Sequence, residues 1–189
     1  CLGGFLLPWV EKLGYPVPPF DFRVEGVTSM SADVHKYGYA AKGASVVLYR
    51  DRDLRKHQFV AYADWPGGLY GSPSMCGTRA GGPIAAAWAI MNHLGEEGYL
   101  RITRETMTAA RGLIEGIKAI PGLYVFGDPV GSVFGFGSHD IDIYALSEAM
   151  DAKGWHLDRL QRPPGLHMMI TPAHAPLVAD PDLAPGGGE

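Results

Sequence analysis

The stretch Ser31-Ala-Asp-Val-His-Lys-Tyr-Gly-Tyr-Ala-Ala-Lys-Gly43 is the most informative part of this 189-residue chain. It places Lys36 after a histidine and before an aromatic residue and a glycine. The apolar run Ser45–Tyr49 follows, and we expect that run to be a buried strand. Such surroundings desolvate an amine and lower its pKa, so that the amine can act as a nucleophile. The stretch therefore predicts a reactive lysine at position 36.

A second group of residues downstream has the composition of an anion-binding segment. Gly77-Thr-Arg-Ala-Gly-Gly82 leads into a helix that we expect to start at Pro83. Free backbone N–H groups at a helix start and the planar cation of Arg79 both suit a bound anion. The signal is weak by itself, because glycines often precede helices. Lys42, at the end of the first stretch, could also pair with a phosphate, although a solvated lysine at a turn is the alternative.

A long loop at residues 64–79 carries aromatic side chains. Tyr70 and its neighbour Trp65 could contact an aliphatic substrate chain or a partner subunit. Plain packing at an interface explains them at least as well. Tyr70 is therefore a candidate substrate-binding residue.

Composition narrows the functional classes. The chain has 20 acidic and 16 basic residues and a net charge of −4, which argues against a nucleic-acid partner. Its 2 cysteines do not form a disulfide framework, so a reducing compartment is expected. The histidines lack the spacing of metal ligands, so no metal site is predicted. No apolar run reaches the roughly 20 residues of a membrane helix.

The order of predicted elements divides the chain. Strands and a long apolar helix from Pro83 to Leu94, which we expect to be buried, come first. A strand, strand, helix, strand, strand pattern comes last and is typical of an α+β domain. We expect part of a larger α/β domain at residues 1–100, a bridging helix at 101–121, a small α+β domain at 122–175 and a disordered tail at 176–189. In the small α+β domain we expect strands at Leu123–Phe126, Ser132–Phe136, Trp155–Leu157 and Leu166–Thr171, and a helix at Asp142–Lys153.

The His35-Lys36 pair, followed by an aromatic residue and glycine, resembles the pyridoxal phosphate attachment site of the group II decarboxylase-like enzymes. The longer stretch from Ser31, together with Asp64–Pro73 and Ala152–Leu157, resembles one branch of them, the sphingosine-1-phosphate lyases. The resemblance implies fold type I. The chain would be the C-terminal part of the large cofactor-binding domain, a mixed and mostly parallel sheet with helices, plus the small α+β domain.

The resemblance also implies roles for the candidate residues. Lys36 would bind pyridoxal phosphate covalently and later serve as a base or proton carrier. His35 would lie beside the cofactor, although a purely structural histidine fits the residues equally well. Residues 77–79 (Gly77, Thr78 and Arg79) would approach the phosphate of a partner's cofactor in a homodimer. Lys42 would lie near the cofactor or the substrate.

The implied activity is cleavage of phosphorylated long-chain bases, such as sphingosine 1-phosphate, to a fatty aldehyde and phosphoethanolamine. The resemblance covers residues 1 to about 171. The family's N-terminal half, which would supply the rest of the cofactor site, has no counterpart in this sequence. We therefore expect a cytoplasmic C-terminal fragment with an incomplete active site, where membrane contact is possible only through the missing part. Two alternatives stay open: an amino-acid decarboxylase of the same fold that uses Lys36, and a truncated, inactive product.

Overall fold

The computed structural model describes residues 2–179, which form two compact units. The first unit holds the residues up to Pro8 together with Val17–Gly95. The second unit holds Trp9–Pro16 and the residues from Glu96 onward. Each unit has its own strands and its own packing.

The first unit is built from short elements joined by long loops. Its elements are the start of α1 (Leu2–Lys12), β1 (Ser29–Ala32), β2 (Val46–Tyr49), α2 (Arg52–Arg55), a 3-10 turn (Lys56–Gln58), β3 (Val60–Tyr62), β4 (Tyr70–Ser72) and the first part of α3 (Gly81–Ala119). Strands β1 and β2 pair antiparallel, as do β3 and β4. The mostly parallel sheet expected of the large domain is therefore not formed by strand pairs within residues 2–179.

The strand expected at Ser45–Tyr49 is present as β2, but its side chains are not buried. Val47 and Leu48 are exposed large apolar residues. An apolar run predicts burial only where another layer covers both faces of the strand. The described residues of this chain do not form such a layer over Val47 and Leu48.

Helix α3 begins at Gly81 and has a break at Gly95, where φ is 56° and ψ is −170°. A positive φ is accessible to glycine without a steric penalty, so the expected helix end at Gly95 is correct. The expected burial of the first half is wrong for this chain. Ala87 is buried, but Ile84 and Trp88 have 56% and 66% of their surface exposed.

The second unit is a four-stranded antiparallel sheet with helices packed on it. Its elements are the second part of α3, β5 (Leu123–Val125), β6 (Val133–Ser138), α4 (Ile143–Asp151), β7 (Asp158–Gln161), β8 (Pro164–Met169), a 3-10 turn (Pro172–His174) and α5 (Ala175–Ala179). The strand order is β5-β6-β8-β7. Its core joins apolar residues of the helices to those of the sheet: Ala109, Ala110, Ile114, Phe134, Phe136, Ile143, Leu166, Met168 and Ile170.

Glycines explain how an aromatic ring lies over this sheet. A Cβ atom added at Gly135, Gly137 or Gly165 would come within 2.6–3.1 Å of the Phe126 ring. That separation is below ordinary van der Waals contact, so side chains at these positions would displace the ring. The three glycines in β6 and β8 therefore make room for Phe126.

One expected strand is misplaced by a few residues. The backbone N–H of Trp155 donates to the carbonyl of Met150, so residues after α4 still complete the helix end. Gly154 in that turn has a φ of 85°. The strand expected at Trp155–Leu157 therefore lies further along the chain, as β7.

The disorder expected from residue 176 is wrong for residues 176–179. These residues belong to α5, and Val178 packs against the core of the second unit. The rest of the expected tail, from residue 180, lies outside the described residues. Within residues 2–179, no helix has both the length and the apolar character needed to cross a bilayer.

Candidate active site

Lys36 lies in a loop between β1 and β2 that backbone hydrogen bonds hold together. The N–H of Lys36 donates to the carbonyl of Asp33 at 3.1 Å, and the N–H of Ala40 donates to that of Val34, also at 3.1 Å. The Val34 side chain is buried with Ala44. The loop is therefore anchored to the unit at its centre, and the lysine lies on an ordered turn.

The glycine of this motif is required by close backbone packing. A Cβ atom at Gly38 would collide with the carbonyl oxygen of Val34 and come within 2.8 Å of its Cα. The next residue, Tyr39, has a φ of 58°, which is rare for a residue with a side chain. The chain thus reverses tightly just after Lys36.

The amine of Lys36 faces a carboxylate rather than apolar rings. Its Nζ lies 2.9 Å from Oδ2 of Asp33, and 42% of the Lys36 side chain is exposed. The desolvated surroundings expected from the sequence are therefore absent among the described residues. The amine is instead accessible to an aldehyde arriving from solvent.

Asp33 is held by a second partner. The hydroxyl of Ser45 donates to its Oδ1 at 2.5 Å. Donation from Ser45 is the main reason that the pKa of Asp33 lies below its ordinary 3.8, and the hydrogen bond from Lys36 adds to it. Asp33 is thus an anion with one partner on each oxygen.

His35 is fixed by the backbone of Ala44, two residues before β2. Its Nδ1 lies 2.5 Å from the carbonyl oxygen of Ala44, which also accepts the backbone N–H of His35 at 3.2 Å. A carbonyl oxygen can only accept, so Nδ1 carries the proton. The hydrogen bonds of His35 therefore stabilise the loop, in line with the structural role that the sequence left open.

Thr78 and Arg79 line a pocket of about 590 Å³. Ala44 and Ser45, which precede β2, and the first turns of α3 also line it. Gly77, just before it, has a φ of 65°, which suits glycine at the turn into the helix. The pocket offers a hydroxyl and a guanidinium, both donors that suit an anion.

The expected site residues fall into three places in this unit. Ser45 lines the pocket of Thr78 and Arg79 and also binds Asp33, so it joins that pocket to the Lys36 loop. Tyr70 belongs elsewhere, in an aromatic groove with Tyr62 and Trp65. Lys42 is exposed and does not line either pocket. Within the described part of the chain, no group of His, Cys, Asp or Glu residues is arranged to hold a metal ion.

The sequence did not predict Asp33 as the partner of Lys36, or Ser45 as the partner of Asp33. Asp33 was expected only to cap or shape the turn, and its backbone carbonyl, not its carboxylate, accepts the backbone N–H of Lys36. The missing signal is strand register. Once Ala32 pairs with Val46 across β1 and β2, residues 33 and 45 are next to each other at the ends of the strands.

Comparison with known proteins assigns the fold to a class. The chain superposes with a TM-score of 0.72 on glutamate decarboxylase from Lactobacillus brevis, covering 94% of this chain and 43% of that one, at 22% identity. That likeness concerns the fold alone. The class is that of the fold type I pyridoxal phosphate enzymes, as expected from the resemblance.

Within this class, the chain is similar to sphingosine-1-phosphate lyases. It matches the lyase of Burkholderia pseudomallei with a TM-score of 0.90 at 48% identity, over 96% of this chain and 41% of that one. It is 54% identical to the lyase of Arabidopsis thaliana over 95% of this chain. The resemblance to that branch is therefore confirmed. The chain spans 33% of the length of the Arabidopsis protein, and no family model matches it.

Proposed function

We propose that this chain supplies the lysine-bearing part of a pyridoxal phosphate-dependent aldehyde-lyase. The substrates would be phosphorylated long-chain bases such as sphingosine 1-phosphate, and the products a fatty aldehyde and phosphoethanolamine. The supporting observation is that an accessible Lys36 amine lies on an ordered turn of a chain 54% identical to such a lyase.

The residues present fit the cofactor. The Lys36 amine is exposed enough to reach an aldehyde, and a lysine amine is the group that binds this cofactor covalently. Thr78 and Arg79 supply donors in a pocket wide enough for a phosphate. Lys36 would hold the aldehyde end of one cofactor, and Thr78 with Arg79 would bind the phosphate of the cofactor in the other subunit. His35 would hold the Lys36 loop in its conformation.

The proposed reaction breaks the C2–C3 bond of the substrate. Carbon 3 loses its hydroxyl proton and leaves as the aldehyde, and carbon 2 gains a proton. Bound pyridoxal phosphate supplies an electron sink that stabilises negative charge at carbon 2. Lys36 Nζ, once released from the cofactor, is a group that can hold and return a proton. Lys42 and Tyr70 are proposed to contact the substrate.

We infer that the enzyme works as a homodimer. The wall of the Thr78–Arg79 pocket includes the exposed Ile84 and Trp88 of α3. Contiguous exposed apolar residues mark surfaces that another chain covers. In this arrangement residues 77–79 of one subunit act at the cofactor phosphate of the other. A cytoplasmic location stays a prediction from the cysteine content.

The test uses the gene product that carries this chain, incubated with pyridoxal phosphate and then reduced with borohydride. Mass spectrometry is expected to find the adduct on Lys36. Lys36→Ala should lose the adduct and the release of phosphoethanolamine, whereas the matched variant Lys42→Ala should keep the adduct. An adduct on another residue, or none, contradicts the proposal.

The amino-acid decarboxylase alternative is separated by substrate. It would use the same Lys36, so adduct mapping does not distinguish the two. Release of carbon dioxide from amino acids, with no cleavage of a phosphorylated long-chain base, would favour the decarboxylase. Lys42→Ala should impair only the lyase reaction, since Lys42 is assigned to a phosphorylated substrate.

A further inference from the structure

The carboxylate of Asp33 is oriented before any cofactor binds. Its side chain is 12% exposed, and each of its oxygens has its own partner. Ser45 donates to Oδ1 at 2.5 Å, and Lys36 Nζ lies 2.9 Å from Oδ2. The free amine of the loop thus rests on an anion that is itself held in place.

The orientation of Asp33 comes from the strands rather than from the lysine. Ser45 directly precedes Val46, which lies opposite Ala32 in the β1–β2 register. The Ser45 hydroxyl has a single proton, and its other acceptor, the carbonyl of Ala32, is at the longer distance of 3.3 Å. The hydroxyl therefore donates mainly to Asp33 and fixes the direction in which the second oxygen points.

We propose that Asp33 is a positioning residue that holds the unattached ammonium of Lys36, before the cofactor is bound and whenever a substrate amine has displaced the lysine. This inference rests on the proposed function. An ammonium cannot attack an aldehyde, because it has no free electron pair. To bind the cofactor, the Lys36 ammonium must lose a proton and move away from Oδ2 of Asp33. When a substrate amine displaces Lys36, the lysine takes up a proton and pairs with Asp33 again.

The charge of Asp33 affects the pH at which Lys36 can bind the cofactor. A carboxylate next to an amine favours the protonated amine, so removal of its charge should allow attachment at lower pH. The titratable groups that act on Asp33 are Lys36 and His35. Asn at position 33 retains an oxygen that can accept from Ser45, so Asp33→Asn removes mainly the charge.

The first measurement follows attachment as a function of pH. The gene product is exposed briefly to pyridoxal phosphate over a pH series, reduced with borohydride, and the Lys36 adduct is quantified by mass spectrometry. In Asp33→Asn the pH of half-maximal attachment should lie below that of wild type, because the carboxylate 2.9 Å from the amine has lost its charge. The control Asp21→Asn, which breaks an ion pair with Arg23 instead, should give the wild-type curve. Superimposable curves for folded Asp33→Asn and wild type overturn the inference.

A second measurement needs no cofactor. The Asp33 carboxyl is titrated by NMR in the wild type, in Lys36→Met and in the control Lys42→Met. The pKa of Asp33 should rise in Lys36→Met and stay below its ordinary value, because Ser45 still donates. If the pKa of Asp33 does not rise in Lys36→Met, the pairing of Asp33 with Lys36 is refuted. This result does not depend on whether Asp33→Asn folds. Absence of any Lys36 adduct in the wild type instead contradicts the proposed function.

Discussion

At the scale of single residues, the position of the Lys36 amine depends on neighbours that the sequence motif does not reveal. The pattern of histidine, lysine, aromatic and glycine predicts that Lys36 is reactive but does not predict its counter-ion. That counter-ion follows from a turn in which residues 33 and 36 share a backbone hydrogen bond and an ion pair. The glycine of the pattern has a separate cause, the close approach of Val34.

Replacement of Gly38 by alanine should destabilise the first unit. The added Cβ would overlap the backbone of Val34, and backbone cannot move aside as a side-chain end can. Overpacking of this kind costs about 1–3 kcal/mol. Urea unfolding should show the loss for Gly38→Ala and almost none for Gly71→Ala, where nothing lies within 4 Å of the new atom. Equal effects of the two substitutions would contradict the explanation.

Asp33 should also affect stability in acid. Its pKa is lower in the folded chain than the ordinary 3.8, so its contribution is complete above that pH. The contribution is lost as the pH falls through the lowered folded value. Asp33→Asn should therefore be less stable than wild type at neutral pH, with the difference shrinking below pH 3.8. Chemical unfolding over pH checks this, with exposed Asp64→Asn as the control.

At the scale of elements, local signals predicted the pieces better than their burial. The helix break at Gly95 and the strand β2 were correctly predicted, because glycine conformation and apolar runs act over a few residues. The position of β7 was missed, because the turn after α4 is closed by a backbone bond from Trp155 to Met150. Such a bond depends on geometry and not on residue type.

Helix α4 should lose stability when its N-cap is removed. The carboxylate of Asp142 accepts the backbone N–H of Tyr144 at 2.9 Å. Loss of a capping side chain costs about 1 kcal/mol, so Asp142→Ala should lower the free energy of unfolding by that amount. Asp142→Asn keeps a capping oxygen and should stay close to wild type. Thermal and urea unfolding of both variants measure the difference, and an Asn variant as unstable as Ala would refute the cap.

At the scale of the whole molecule, the exposed apolar surface is the feature that the sequence misassigned. An apolar run predicts that a residue is covered, but not which chain covers it. Val47, Leu48, Ile84 and Trp88 all looked buried and are all exposed. Thr78 and Arg79, two of the residues expected to bind a phosphate, line a pocket, and their phosphate role stays a prediction. The distance of these two residues from Lys36 in one chain could not be inferred from composition.

The proposed homodimer makes a prediction about that surface. Ile84 and Ile141 are matched in exposure, at 56% and 53%, but only Ile84 lines the Thr78–Arg79 pocket. Burial of one isoleucine side chain is worth about 1.5–3 kcal/mol, and a charge there would also have to be desolvated. Ile84→Asp should therefore weaken self-association at least about tenfold, whereas Ile141→Asp should leave it unchanged. Sedimentation over a range of concentrations measures both variants. Equal weakening by the two, or a wild type that stays monomeric throughout, would show that α3 faces something other than a second copy.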